Sequence, residues 1–193
     1  MSDPAGTAAF GRSREDAEFS QLYDRYYRPV RDFCRRRVAS DLVDDAVAET
    51  FLTAWRRRDA VPAGAEALVW LYGVAYRVIG HQWRSTARRR RLEARLRSVV
   101  CRPPSGADES VIKDDDCRLV LAAAAQLRPT DAEVLRLVAW ERLSIDDIAV
   151  VLEIAPNAVK QRLHRARRNL AREYRRLQSQ QTSTPDAPTG GAR

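Results

Sequence analysis

Apolar residues recur along most of this chain at three- and four-residue intervals, and no stretch sustains an alternation of apolar and polar positions. The first rhythm is that of a helix with one buried face. The lack of the second argues against strands. Phe19, Leu22, Tyr23, Tyr26 and Tyr27 share the first stripe. Pro29 interrupts it, yet "VRDFCRRRV" keeps the same period, which predicts a kink or restart at the proline. Val43, Val47, Phe51 and Trp55 form the next buried face, within "SDLVDDAVAETFLTAWRRR". Acids in its first turn and arginines in its last complement the helix dipole, and Ser40 or Asp41 is placed to cap it. After a loop with Pro62 and Gly64, "ALVWLYGVAYRVIGHQWRSTARRRRLEARLR" reads as one long helix, apolar at first and basic at its end.

The pattern then breaks. "SVVCRPPSGADESVIKDDD" carries Pro-Pro, Ser-Gly and an acidic run, the composition of a linker. The expected architecture is therefore all-α: two small helical domains, residues 16–97 and 117–177, joined by a flexible linker at 98–116. Residues 1–15 are expected to be a disordered N-terminus, and the low-complexity residues 178–193 a disordered tail.

The second domain contains "LRPTDAEVLRLVAWERLSIDDIAVVLEIAPNAVKQRLHRARRNLAREYRR". Ser144 and Asp147 have the spacing of a capping box, with Asp in place of the preferred Glu. Ile145, Ile148, Ala149 and Leu152 make the inner face of a short helix, and residues 153–156 the turn. Pro156 suits the first turn of a second helix, where its missing N–H costs nothing. Val159 and Leu163 point inward from that helix, leaving Lys160, Gln161, His164 and Arg165 outward. This is a helix-turn-helix whose second helix can lie in a DNA major groove while the first braces it.

Charge agrees with that reading. The chain has 193 residues with 34 Lys+Arg against 26 Asp+Glu, a net charge of +8. Such an excess points to polyanions, nucleic acid before an anionic membrane surface. No apolar run approaches the roughly 18 residues of a membrane span, and "MSDPAGTAAFGRSRED" lacks the apolar core of a signal peptide, so a cytoplasmic protein is expected. Cys34, Cys101 and Cys117 are odd in number and lie far apart, and the imidazoles are only His81 and His164. Reduced thiols are expected, with no zinc site and no disulfide framework. Asp45 and Glu49 share a helix face, as magnesium ligands of a nuclease would. No further carboxylate or His cluster completes such a site, and no cofactor or catalytic set is expected. Two other readings stay open: a dimeric helix-turn-helix regulator acting without polymerase, and a nonspecific charge-driven binder.

The blocks taken together resemble a known family. "LSIDDIAVVLEIAPNAVKQRLHRARRNL" looks like region 4 of the extracytoplasmic-function (ECF) sigma factors. "DDAVAETFLTAWRR" and "WLYGVAYRVIGHQWRSTARRRR" resemble parts of their region 2, in the same order. The resemblance implies a detachable promoter-specificity subunit of bacterial core RNA polymerase, with promoter DNA as its second partner and no enzyme activity of its own. By similarity, Asp44, Asp45, Glu49 and Leu52 would meet the polymerase clamp. The loop "RRRDAVPAGAEAL" would capture a flipped base of the melted −10 element, with Asp59, Ala60, Val61 and Pro62 as the pocket. Arg77, Arg84, Arg88 and Arg89 would hold phosphates. Trp70, Tyr72, Tyr76 and Trp83 offer stacking surfaces, with Trp70 and Tyr72 expected in the core instead. Lys160, Gln161, Arg162, His164 and Arg165 occupy the positions that face the −35 element, with Gln161 suited to adenine, Arg165 to guanine, and Arg162 to base or phosphate. Members are commonly held inactive by an anti-sigma factor, which the residues here do not reveal. The chain departs from the family pattern in having Arg77 for Asn, Glu153 for Gly, and Ala155 and Ala158 for Ser or Thr. These departures bear on which bases are read rather than on the class.

Overall fold

The computed structural model describes the backbone of residues 4–94 and 115–182, with side chains over 16–81, 83–84 and 117–180. Among the described residues the regular elements are all helices, with no strand. They form two compact units, the first carrying α1 (Pro4–Arg35), α2 (Val43–Arg56) and α3 (Glu66–Ala94). The second carries α4 (Asp115–Ala125), α5 (Pro129–Ala139), α6 (Ile145–Leu152) up to Ala149, and α7 (Pro156–Thr182), while Val150–Leu152 group with the first.

In the first unit α1, α2 and α3 pack on one another. The inward positions of each amphipathic stripe supply the core: Val30 and Phe33 from α1, Val47 and Phe51 from α2, Leu71 and Ile79 from α3, all buried. Aromatic pairs fix the approach of the helices. Phe33 and Tyr72 stack with ring centroids 4.7 Å apart, and Phe19 meets Trp55 edge-on at 4.9 Å. Trp55 stays half-buried, although Val43, Val47 and Phe51 of the same stripe are buried as expected. Arg37 is buried beside this core. Its Nη1 donates to the Phe33 carbonyl at 2.9 Å, and the guanidinium lies 3.5 Å from the Phe33 ring centroid.

Two local expectations are corrected. Pro29 does not restart the chain as a second helix; it lies inside the single helix α1. A proline removes one backbone bond, and the burial of Tyr26, Val30 and Phe33 on both sides of it holds the helix together. Neither Ser40 nor Asp41 caps α2. They belong to a 3-10 turn, Ser40–Leu42, and the N-cap residue Leu42 makes no side-chain capping bond. The turn closes itself instead through Leu42 N–H to the Ala39 carbonyl at 2.9 Å. At the chain ends, α1 begins at Pro4, within the segment read as a disordered N-terminus, and α7 continues to Thr182, within the segment read as a disordered tail. The linker reading falls mostly outside the described residues, which resume at Asp115.

In the second unit α4 and α5 both pack against α7. Leu119 and Ala123 of α4, Val134 and Leu137 of α5, and Val159 and Leu163 of α7 are buried. Among the described residues no helix is long and apolar enough to cross a membrane.

Candidate functional site

The helix-turn-helix is built by local hydrogen bonds. Ser144 Oγ accepts from the Asp147 N–H at 3.1 Å, and the Ser144 N–H donates to Asp147 Oδ2 at 3.1 Å. The Ser144 hydroxyl donates to the same carboxylate oxygen at 2.7 Å, which closes the capping box on the shorter acid. At the other end of α6 the Ile154 N–H reaches the Ala149 carbonyl at 3.1 Å. That is a Schellman-type closure, and it needs a left-handed residue between. Glu153 occupies that place at φ 53°, where a Cβ is unfavourable and glycine is at ease. Pro156 then opens α7, and the Ala158 and Val159 N–H groups donate to the Ala155 carbonyl at 2.9 and 3.2 Å.

This geometry turns one face of α7 outward. Lys160, Gln161 and His164 are exposed, Arg162 is half-buried, and Val159, Leu163 and Ala166 are buried behind them. Arg165 is also on the exposed face, but its guanidinium is engaged. Nε donates to Asp131 Oδ2 at 3.1 Å and Nη2 to Oδ1 at 3.0 Å, and Asp131 itself is fully buried. The paired hydrogen bonds, then the charge of Asp131, push the Arg165 guanidinium above its ordinary pKa. Asp131 did not stand out in the sequence, because an acid in the first turn of a helix normally serves the dipole from solvent. Further along α7, Glu173 takes Arg176 at 2.8 Å and Arg172 at 3.3 Å, which hold its carboxyl below the usual range, Arg176 foremost.

A second charged face lies on α2. Asp45 and Glu49 are exposed one turn apart, and Leu52 beside them keeps 40% of its surface. Asp44 lies 3.6 Å from Arg31 of α1 in an exposed pair. The structure thus places Asp44, Asp45, Glu49 and Leu52 on the outside of the helix whose inner side is core.

The loop after α2 starts with a 3-10 turn, Arg58–Ala60. Asp59 and Ala60 are exposed there, and Val61 and Pro62 half-buried. Gly64 adopts φ 68°, and the buried Tyr26 donates its hydroxyl to the Gly64 carbonyl at 2.9 Å, tying the loop to α1. Of the aromatic residues, Tyr72 is core as expected, Trp70 and Tyr76 are half-buried, and Trp83 is exposed. Arg77 and Arg84 are exposed on α3; Arg88 and Arg89 lie on the same helix, their side chains outside the described residues. Among the described residues no group of three or more His, Cys, Asp or Glu could hold a metal ion.

Comparison with known proteins matches both units. Residues 22–89 fit the family model of Sigma-70 region 2, and residues 117–170 that of Sigma-70 region 4. The chain is 32% identical over 178 residues to the ECF RNA polymerase sigma factor SigL of Mycobacterium tuberculosis, spanning 88% of this chain and 94% of that one. It is 30% identical over 161 residues to the ECF RNA polymerase sigma factor BldN of Streptomyces coelicolor, spanning 80% and 59%. Among solved structures, RpoE of Bartonella quintana, in complex with the anti-sigma factor NepR, superposes with a TM-score of 0.58 at 22% identity, over 82% of this chain and 97% of that one. CnrH, in complex with the cytosolic domain of CnrY, gives 0.54 at 24%, over 86% and 92%. At those identities the two structures speak to the fold alone.

Proposed function

The chain belongs to the ECF sigma factors of RNA polymerase, and from that premise we propose how it divides the work of promoter recognition between its two units. A factor of this family serves promoter-specific transcription initiation and carries DNA-binding regions 2 and 4. The exposed acids Asp44, Asp45 and Glu49, with Leu52, form the surface that meets core polymerase. Acids steer the encounter with a basic partner, and the adjoining apolar side chain supplies desolvated contact. The loop from Asp59 to Pro62 receives an unstacked base of the −10 strand, and Arg77, Arg84, Arg88 and Arg89 hold its backbone while the region melts. Trp83, exposed on the same helix, is the aromatic best placed to stack. The exposed face of α7, with Lys160, Gln161, Arg162, His164 and Arg165, reads the −35 major groove. An anti-sigma protein that covers the polymerase-facing surface would keep the factor idle; RpoE of Bartonella quintana is in complex with such a protein, NepR.

One observation carries this reading. An exposed acidic helix and an intact helix-turn-helix occur in one chain, in the segments that match regions 2 and 4. A lone regulator or a nonspecific basic protein has no use for the first. The test is co-migration of the purified chain with bacterial core RNA polymerase on size exclusion. An Asp45→Arg/Glu49→Arg variant runs alongside. Stable co-migration that the variant loses supports the reading. A folded, inhibitor-free chain that ignores core polymerase sinks it.

A further inference from the structure

The ion pair between α5 and α7 has a geometry that a structural tie alone does not require. Asp131 is fully buried, and each of its oxygens accepts one N–H from Arg165, at 3.1 and 3.0 Å. A guanidinium holds five N–H donors in a planar fork that offers two bidentate edges. Asp131 engages the edge formed by Nε and Nη2. The edge formed by Nη1 and Nη2 lies on the far side of the fork from Nε, and the Arg165 side chain keeps 46% of its surface. Gln161 and His164, on the same helix within one turn, are exposed beside it.

Two bonds to one buried carboxylate fix the plane of the guanidinium as well as its position. A phosphate can take the same fork but does not require it, since a lysine binds phosphate as a mobile point charge. A guanine gains a great deal, because its O6 and N7 are coplanar and accept from two donors held at a set angle. We propose that Asp131 is a positioning residue for promoter specificity: it holds Arg165 with its second edge presented to a guanine of the −35 element. This rests on the reading of α7 as the −35 recognition helix.

The test uses holoenzyme made from the full chain and core RNA polymerase, bound to duplexes randomised across the −35 element. Wild type is compared with Asp131→Asn, Arg165→Ala, Arg165→Lys and the Asp131→Asn/Arg165→Ala double variant, at a temperature where circular dichroism shows each folded. Asparagine keeps the size of the buried group and one acceptor oxygen but cannot take both donors. The expected result is a guanine preference at one position that falls about tenfold in Asp131→Asn, other positions and the salt slope being unchanged. Arg165→Ala loses the same preference, and the double variant is no worse than Arg165→Ala. Arg165→Lys keeps a charge beside Asp131, and so the fold, yet loses that preference as well. Asp131→Asn that keeps the preference, or weakens all sequences alike, overturns the positioning role while leaving the −35 reading intact. A preference untouched in Arg165→Ala or retained in Arg165→Lys overturns it too. A wild-type holoenzyme with no −35 preference overturns both.

Discussion

The outward faces of α2 and α7 are charged on opposite plans. On α2 the acids Asp45 and Glu49 stand exposed over a buried row of Val47 and Phe51, and Asp44 meets Arg31 only at 3.6 Å in solvent. On α7 three arginines are held by acids of the protein itself. Arg165 is clamped by a buried Asp131, and Arg172 and Arg176 both bond Glu173. Under the proposed division of work, the difference follows from what each face would meet. A protein surface can adjust to a loosely held acid, and steering tolerates motion. Base edges sit at fixed positions and reward a donor whose plane is set beforehand.

The largest effect should come from reversing the α2 face. Asp45→Arg/Glu49→Arg is expected to weaken core polymerase binding roughly a hundredfold or more, because like charges then face each other. Glu49→Arg should shift the unfolding free energy by less than about 0.5 kcal/mol, and Asp45→Arg, in the first turn of α2, by no more than about 1 kcal/mol. A binding titration with a parallel urea melt checks both. A large stability loss would show that these acids belong to the fold and end the contrast with α7.

On α7 the expectation is opposite. Arg165→Ala leaves the buried Asp131 carboxylate without this partner and should lower the urea midpoint clearly. Lys160→Ala should cost almost nothing in the same urea titration. Its effect belongs to DNA, where binding should weaken for all sequences alike and the salt slope should fall by about 1. If Arg165 and Lys160 behave identically in stability, the clamp has no energetic meaning.

The two ends of α6 sharpen the comparison at smaller scale. The start is closed by the reciprocal bonds of Ser144 and Asp147, so Ser144→Ala should destabilise by about 1 kcal/mol. The end is strained at Glu153, so Glu153→Gly should stabilise by about 1 kcal/mol. Thermal melts of the two variants should move in opposite directions.

The smallest signal concerns the thiols. Burial pushes Cys34 up to about 12 from 9.0, with Arg37 opposing weakly, whereas Cys117 is exposed. The folded state therefore holds the Cys34 proton more tightly than the unfolded chain does. That contribution to stability is complete below pH 9 and is lost as pH rises toward 12. Near pH 8, a thiol-specific reagent should label Cys117 rapidly and Cys34 only on unfolding. Fast labelling of native Cys34 would place it outside the core.

Much of the fold was legible because it is local. A helix stripe, the box from Ser144 to Asp147, and a proline opening α7 each involve residues within a turn of one another, so spacing alone reveals them. The inward set of Val159 and Leu163 and the outward set of Lys160, Gln161 and His164 followed from the same arithmetic. What sequence reading misjudged turned on competition between local rules and packing. Pro29 looked like a breaker, but side chains buried on both sides of it carry α1 through. Ser40 and Asp41 looked like caps, but a 3-10 turn took their place. The clamp was out of reach altogether. Asp131 and Arg165 lie 34 positions apart, and nothing in either neighbourhood marks one as the other's partner. Spacing along a helix determines which side chains face outward; only the packing of α5 against α7 decides which of those outward arginines is held and in what plane, because a bidentate bond needs both groups placed in three dimensions at once.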